Sequence, residues 1–163
     1  MSVTISGSGQ IIKQVIQVVK TDTFSMSSTT YADITGLSVS ITPTNASNKI
    51  LVVFSVNAVP SSTNNGLALQ LVRNTTPICI GDPASPRQQA TSMIGYSGDP
   101  NTTNYCSGTY LDSPATTSAV TYKVQIAIQN SASAFVNRTQ NDTAAIYGTR
   151  SASTLTVYEV AYA

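Results

Sequence analysis

The strongest constraint on this chain is a period of two in its apolar residues. Val120, Tyr122, Val124, Ile126 and Ile128 alternate with Thr121, Lys123, Gln125, Ala127 and Gln129. Successive side chains of an extended strand point to opposite faces, so this run presents one apolar and one polar face. Leu37, Val39 and Ile41 repeat the pattern against Ser38, Ser40 and Thr42, and Leu67, Leu69 and Leu71 make a third set. Ile50, Val52, Phe54 and Val56 make a fourth, with Leu51 and Val53 predicting burial on the opposite face too. Ile11 to Lys20 is ambiguous, because Ile12, Ile16 and Val19 fit a helical stripe. Six of its ten residues are Val or Ile, and that β-branched density predicts a strand.

The closing run from Ser153 carries apolar groups on both faces. Leu155 and Val157 point one way, and Tyr158, Val160 and Tyr162 point the other. Such a strand either sits centrally in a sheet or packs against another subunit. Turn-forming stretches separate the runs: Pro43-Thr44-Asn45, Pro60 to Gly66, Asn74 to Pro77, Gly81 to Gln89 and Gly98 to Asn104. Short strands at this spacing predict an all-β antiparallel sandwich or barrel, and nothing reads as a βαβ unit. With 163 residues the chain is one domain by size. We expect that domain over 11–163, preceded by a flexible arm over 1–10 made of small and polar residues.

Charge narrows the function. Only 9% of residues are charged, and the net charge is +1 at pH 7. That predicts no nucleic-acid or membrane partner of the electrostatic kind. The longest strongly apolar run, Ile50 to Val56, is far too short for a spanning helix. The opening residues have neither the basic start nor the apolar stretch of a secretory signal, so synthesis in the cytoplasm is expected. Cys79 and Cys106 read as buried free thiols, although one bridge between them is open.

Catalytic chemistry has little to work with. The chain has no histidine, which removes Ser-His and Cys-His pairs and the commonest metal ligand. Six aspartates and one glutamate remain, and most of the aspartates sit in turn contexts such as Gly81-Asp82-Pro83 and Gly98-Asp99-Pro100. Asp99, Asn101 and Asn104 offer oxygen ligands at a loop spacing, but they match no full calcium-loop pattern. The expectation is no catalytic residue, no metal and no cofactor, and therefore not an enzyme. Glu159, the sole glutamate, lies inside an apolar strand. It either faces solvent or faces inward with a partner, for which Arg150, Arg138 or Lys123 are candidates. The eight tyrosines outnumber the three phenylalanines. Tyr31, Tyr96, Tyr105, Tyr110 and Tyr147 fall near loops or strand ends, where tyrosine either caps a core or serves an interface.

The segment Gln14 to Pro43, QVIQVVKTDTFSMSSTTYADITGLSVSITP, followed by Ser47 to Val52, SNKILV, resembles a recurrent module of tailed-bacteriophage virion proteins. Leu155 to Val160 is similar to that module's last strand. The resemblance covers the first third and the final ten residues; the middle, about Ser61 to Thr117, departs from it. It implies a jelly-roll sandwich of the tumour-necrosis-factor and C1q type, with about eight to ten strands. It also implies a homotrimer with the last strand near the threefold axis. Leu155, Val157, Tyr158, Glu159, Val160 and Tyr162 are then the candidate subunit interface, and Tyr96, Tyr105 and Tyr110 the candidate loop contacts. The expected role is a virion structural protein on the outside of a tailed phage, made in the host bacterial cytoplasm. Its foremost form is a capsid decoration (cement) protein bound to the major capsid protein or other virion proteins. The alternative is a tail-fibre or receptor-binding tip that recognises a host surface glycan.

Overall fold

A computed structural model describes residues 11–96, 98–130 and 132–161. The expected N-terminal arm over 1–10 lies outside the described residues. Eleven strands and no helix occur among them: β1 (Ile12–Lys20), β2 (Phe24–Met26), β3 (Ala32–Ile41), β4 (Lys49–Pro60), β5 (Gly66–Arg73), β6 (Thr76–Ile78), β7 (Ser92–Gly95), β8 (Asn104–Asp112), β9 (Val120–Ile128), β10 (Ala134–Val136) and β11 (Ser153–Val160). Three of them, β2, β6 and β10, have three residues each, which takes the number past the expected eight to ten.

The strands form two antiparallel sheets. The first runs β1-β11-β4, with β8 on the other side of β4; β10 and β2 extend the sheet beyond the end of β11. The second runs β3-β9-β5, with β6 and β7 sharing the far side of β5. Leaving out the short β2 and β10 and taking β6 with β7 as one position gives eight positions in chain order. The sheets then read 1-8-3-6 and 2-7-4-5, which is the jelly-roll order of two interlocked Greek keys. Ambiguous Ile11 to Lys20 is indeed a strand, and every run read from the period of two is in one sheet or the other.

The alternating residues fill the space between the sheets. Ile34, Leu37, Val39 and Ile41 of β3 meet Ile50, Val52, Phe54 and Val56 of β4. Leu67, Leu69, Leu71, Tyr122, Val124, Ile126, Leu155 and Val157 complete the layer. Burying each such side chain contributes about 1.5–3 kcal/mol, so this layer supplies the main drive to fold. Asparagine, which tolerates the left-handed region better than most residues, makes the corners. Asn64, Asn74, Asn130 and Asn137 all have φ between 55° and 64°. Asn137 is fully buried and ties three elements together. Its amide nitrogen donates to the carbonyls of Lys20 and Asp22, and its side-chain oxygen accepts from the Ser153 hydroxyl.

The two outer faces differ. Ala68, Gln70, Val72 and Ala127 face away from the core by alternation, yet all are buried. The 79–91 segment accounts for this. It is fixed to β5 where the Thr91 nitrogen donates to the Leu69 carbonyl. It reaches the opposite edge of the sheet, where the Gln89 carbonyl accepts from the Tyr31 hydroxyl at 2.7 Å. The Tyr31 side chain and the Gln88–Gln89 stretch, whose Gln88 amide donates to the Thr29 carbonyl, thus meet over the outer face of this sheet. On the first sheet the outward Val59 is buried at the end where the 137–152 segment bonds to Asn57, while the outward Val15 and Leu111 are exposed.

Candidate assembly surface

β11 is a central strand between β1 and β4, so the first of the two sequence alternatives holds for its backbone. That placement sorts the six interface candidates. Leu155, Val157 and Glu159 point between the sheets and are 0% exposed. Their side chains are used up inside the chain and cannot meet a neighbour, which corrects their assignment to a subunit interface. Tyr158 and Val160 point outward and are half-buried; Tyr162 lies outside the described residues.

Glu159 faces inward without a cation. Its Oε1 accepts from the Thr44 backbone N–H at 2.6 Å, the Thr44 hydroxyl at 2.7 Å and the Asn48 amide at 2.7 Å. Its Oε2 accepts from the Gln14 amide at 2.7 Å. Arg150, Arg138 and Lys123 are engaged elsewhere: the two arginines pair with Asp142, and Lys123 pairs with Asp33. The expected ion pair is therefore replaced by four neutral donors. Burial pushes the Glu159 carboxyl up, but donors from Asn48, Thr44 and Gln14 outweigh it and hold the pKa at about 2. The charge pins the Pro43–Asn48 connection and β1 onto the end of β11, which fixes the sheet at that corner.

The outward side chains then form rows across the first sheet. Register aligns Val15 of β1, Tyr158 of β11, Leu51 of β4 and Leu111 of β8 in one line. Val15 is 56% exposed and Leu111 53% exposed, so the row is open to solvent. The next line is Gln17, Thr156, Val53 and Thr109, followed by Val19, Thr154, Ser55 and Ser107. These three lines contain no charged side chain. Leu51 and Val53, expected to be buried on both sides, are only half-buried for this reason. On its other side the apolar line is bordered by Val160 and Lys49; an apolar line with a polar surround is the composition of a protein contact core with its rim.

The tyrosine candidates separate. Tyr96 lies in the β7–β8 connection and is half-buried. Tyr105 and Tyr110 are not in a loop but in β8, on opposite faces. Tyr105 points outward and is 73% exposed, whereas Tyr110 packs against the core. Sequence reading missed β8 because its apolar positions are occupied by Cys106, Gly108 and Tyr110, and glycine and cysteine blur the alternation. Tyr105 stands opposite Asn57, whose amide donates to the Ala152 carbonyl, so it shares one end of the sandwich with the 137–152 loop. That loop exposes Ile146 and Tyr147, which sequence reading did not connect with Tyr105.

The remaining candidates resolve simply. Asp99 accepts from the Asn101 N–H, while the Asn104 amide donates to the Gly95 carbonyl, so they make a turn. Among the described residues no group of three metal-ligating acids, cysteines or histidines occurs. Cys79 and Cys106 are unbridged. Cys106 is buried as expected, but Cys79 is exposed, because it occupies a left-handed corner (φ 53°) after β6. Asp112 is buried at the end of β8, where it accepts from Arg73 at 2.9 Å and from the Tyr122 hydroxyl at 2.6 Å. This ties β8, β5 and β9 together and is structural.

No protein-family model and no curated protein matches the sequence. Among solved structures the chain is similar to a structure of infectious bursal disease virus Gx strain, with a TM-score of 0.46 and 17% identity, covering 91% of this chain and 37% of that chain. It is similar also to the infectious bursal disease virus VP2 subviral particle, with a TM-score of 0.43, 16% identity and coverage of 91% and 37%. A third is Eiger TNF from S. frugiperda, with a TM-score of 0.37, 9% identity and coverage of 91% and 94%. The chain thus spans little more than a third of the viral chains, and the likeness concerns the sandwich alone.

Proposed function

We propose that this chain is a structural, non-catalytic component of a virus particle that assembles with itself through the outer face of the first sheet. The observation that carries the self-assembly is the uncharged apolar row Val15, Tyr158, Leu51 and Leu111, exposed at Val15 and Leu111 while the 79–91 segment packs on the other sheet. The resemblance of the Gln14–Val52 segment to phage virion modules carries the location. In the form we hold, the chain is a homotrimer with Tyr158 and Val160 near the threefold axis. It sits on the head of a tailed bacteriophage, where it binds the major capsid protein as decoration. The second reading, a tail-fibre tip binding host glycan, draws on the exposed Tyr105 and Tyr147 at one end of the sandwich.

Light scattering on the purified chain and on Val15→Lys tests the assembly. The wild type is expected at three times its 17.1 kDa mass or a multiple of that, and the variant at a smaller mass with unchanged circular dichroism. An unassociated wild type overturns the trimer. Immunogold labelling of particles tests the location: gold over the head supports decoration, gold at the tail end supports the tip, and unlabelled particles overturn the virion role.

A further inference from the structure

A sandwich of two open sheets has strand edges, and an edge with unpaired N–H and C=O groups pairs with other chains unless it is blunted. Three of the four main edges here carry such protection. β1 has an irregular register between Ile12 and Gln14 and places Lys13 there. β3 is interrupted between Asp33 and Ser38, around Gly36 with φ 83°. β6 and β7 have three and four residues, and β6 contains Pro77. The fourth edge, β8, has none of these devices. Its nine residues pair with β4 in unbroken register from Ile50–Asp112 to Ala58–Asn104, and it has no proline and no charge before Asp112. Among the described residues, no backbone hydrogen bond reaches Tyr105–Leu111 from outside that pairing.

The order of side chains along β8 says what fits this edge. Laid antiparallel against itself about Gly108, the strand brings Tyr105 opposite Leu111 of the second copy and Ser107 opposite Thr109 on the outward face. All four are exposed in the single chain. An aromatic–aliphatic pair and a hydroxyl pair are both favourable cross-strand neighbours, each worth a fraction of a kcal/mol up to about 1 kcal/mol relative to alanine. On the inward face Cys106 falls opposite Tyr110. Gly108 meets itself on the twofold axis, its missing side chain forced by the Phe54 ring, which lies 2.5 Å from where a Cβ would stand.

We infer that the free edge of β8 is a twofold pairing site for β8 of a second copy, continuing the first sheet across two chains. This contact is isologous and is made through the backbone edge of β8, whereas the threefold contact is made through the sheet face around Tyr158 and Val160; the outward side chains Ser107, Thr109 and Leu111 border both. It goes beyond the proposed function without depending on it.

The test uses side chains that are exposed and so leave the single fold intact. Ser107→Lys/Thr109→Lys places lysine opposite lysine across the axis, and Ser107→Glu/Thr109→Glu places carboxylate opposite carboxylate. The wild type is expected at twice the mass of the Lys variant by light scattering, and an equal mixture of the Lys and Glu variants is expected to regain the larger mass. In a Cys79→Ser background, Ser107→Cys mixed with Thr109→Cys is expected to cross-link under mild oxidation, because opposed Cα atoms in an antiparallel pair lie within disulfide range. Each variant alone cross-links far less. An unchanged mass for the Lys variant, or no cross-link in the mixture, overturns the pairing. A wild type at three chain masses overturns the pairing and leaves the trimer standing; a wild type at two chain masses, halved by the Lys variant, supports the pairing and overturns the trimer.

Discussion

Replacing Glu159 by glutamine probes the most demanding polar site in the molecule. Four donors converge on its carboxylate, three of them on Oε1. The introduced amide would keep one acceptor oxygen and turn an NH₂ group toward a donor. If that group takes the Oε2 side it meets the Gln14 amide, which already donates to the Thr42 carbonyl. If it takes the other side it meets the Thr44 and Asn48 donors. Either way, charge-assisted bonds become neutral and at least one donor loses its acceptor, at a cost of about 1–3 kcal/mol where that donor is buried. The ionisation gives an independent measure. Holding the carboxyl at about 2 instead of the ordinary 4.5 corresponds to about 3 kcal/mol of preference for the charged form in the folded state. The folded pKa lies below the unfolded one, so this stabilisation is complete above 4.5 and is lost as pH falls through about 2. Urea unfolding at fixed protein concentration is the assay. Glu159→Gln is expected to be about 3 kcal/mol less stable at pH 7, with an unchanged slope. The gap between variant and wild type should narrow below pH 4.5 and nearly close near pH 2. A gap under about 0.5 kcal/mol at pH 7, or one that stays constant with pH, would refute the reasoning, since either means that the carboxylate's charge contributes little.

Gly108→Ala places a Cβ 2.5 Å from the ring of the buried Phe54, so the ring or the strand must shift and a loss of about 1–3 kcal/mol is expected in the same urea assay. An unaffected midpoint would mean the ring is not held there. The two thiols should differ in access: a maleimide is expected to label Cys79 in the native chain and Cys106 only after denaturation, with one adduct and then two by mass spectrometry. Native labelling of both at similar rates would contradict the burial of Cys106.

How much of this was legible beforehand follows from what alternation can and cannot encode. Where β-branched and large aliphatic residues recur at every second position, as in Val120 to Ile128 or Ile50 to Val56, only one local conformation buries them all. Both strands were therefore readable from spacing alone, and so was the buried face of Val120 to Ile128; at Ile50 to Val56 the apolar Leu51 and Val53 pointed to a second buried face that is only half-buried. Strand β8 escaped because Gly108 replaces an inward apolar side chain, and that glycine is required by Phe54, a residue far away in sequence. Local spacing has no record of such a demand.

Sequence by itself determined the class of fold, the faces of the long strands and the absence of histidine chemistry, because these depend on residue type and short-range period. Only the tertiary structure decided which outward faces stay open. Tyr158 and Leu155 look equally apolar in the chain, yet one meets solvent and the other the core. The 79–91 segment packs on one sheet, while on the other, among the described residues, Val15 and Leu111 stay exposed. Glu159 found its partners at Gln14, Thr44 and Asn48, more than a hundred residues away, rather than in the nearby arginines. A buried charge is satisfied by whatever donors the packed strands bring within reach, and that proximity is a property of the closed sandwich.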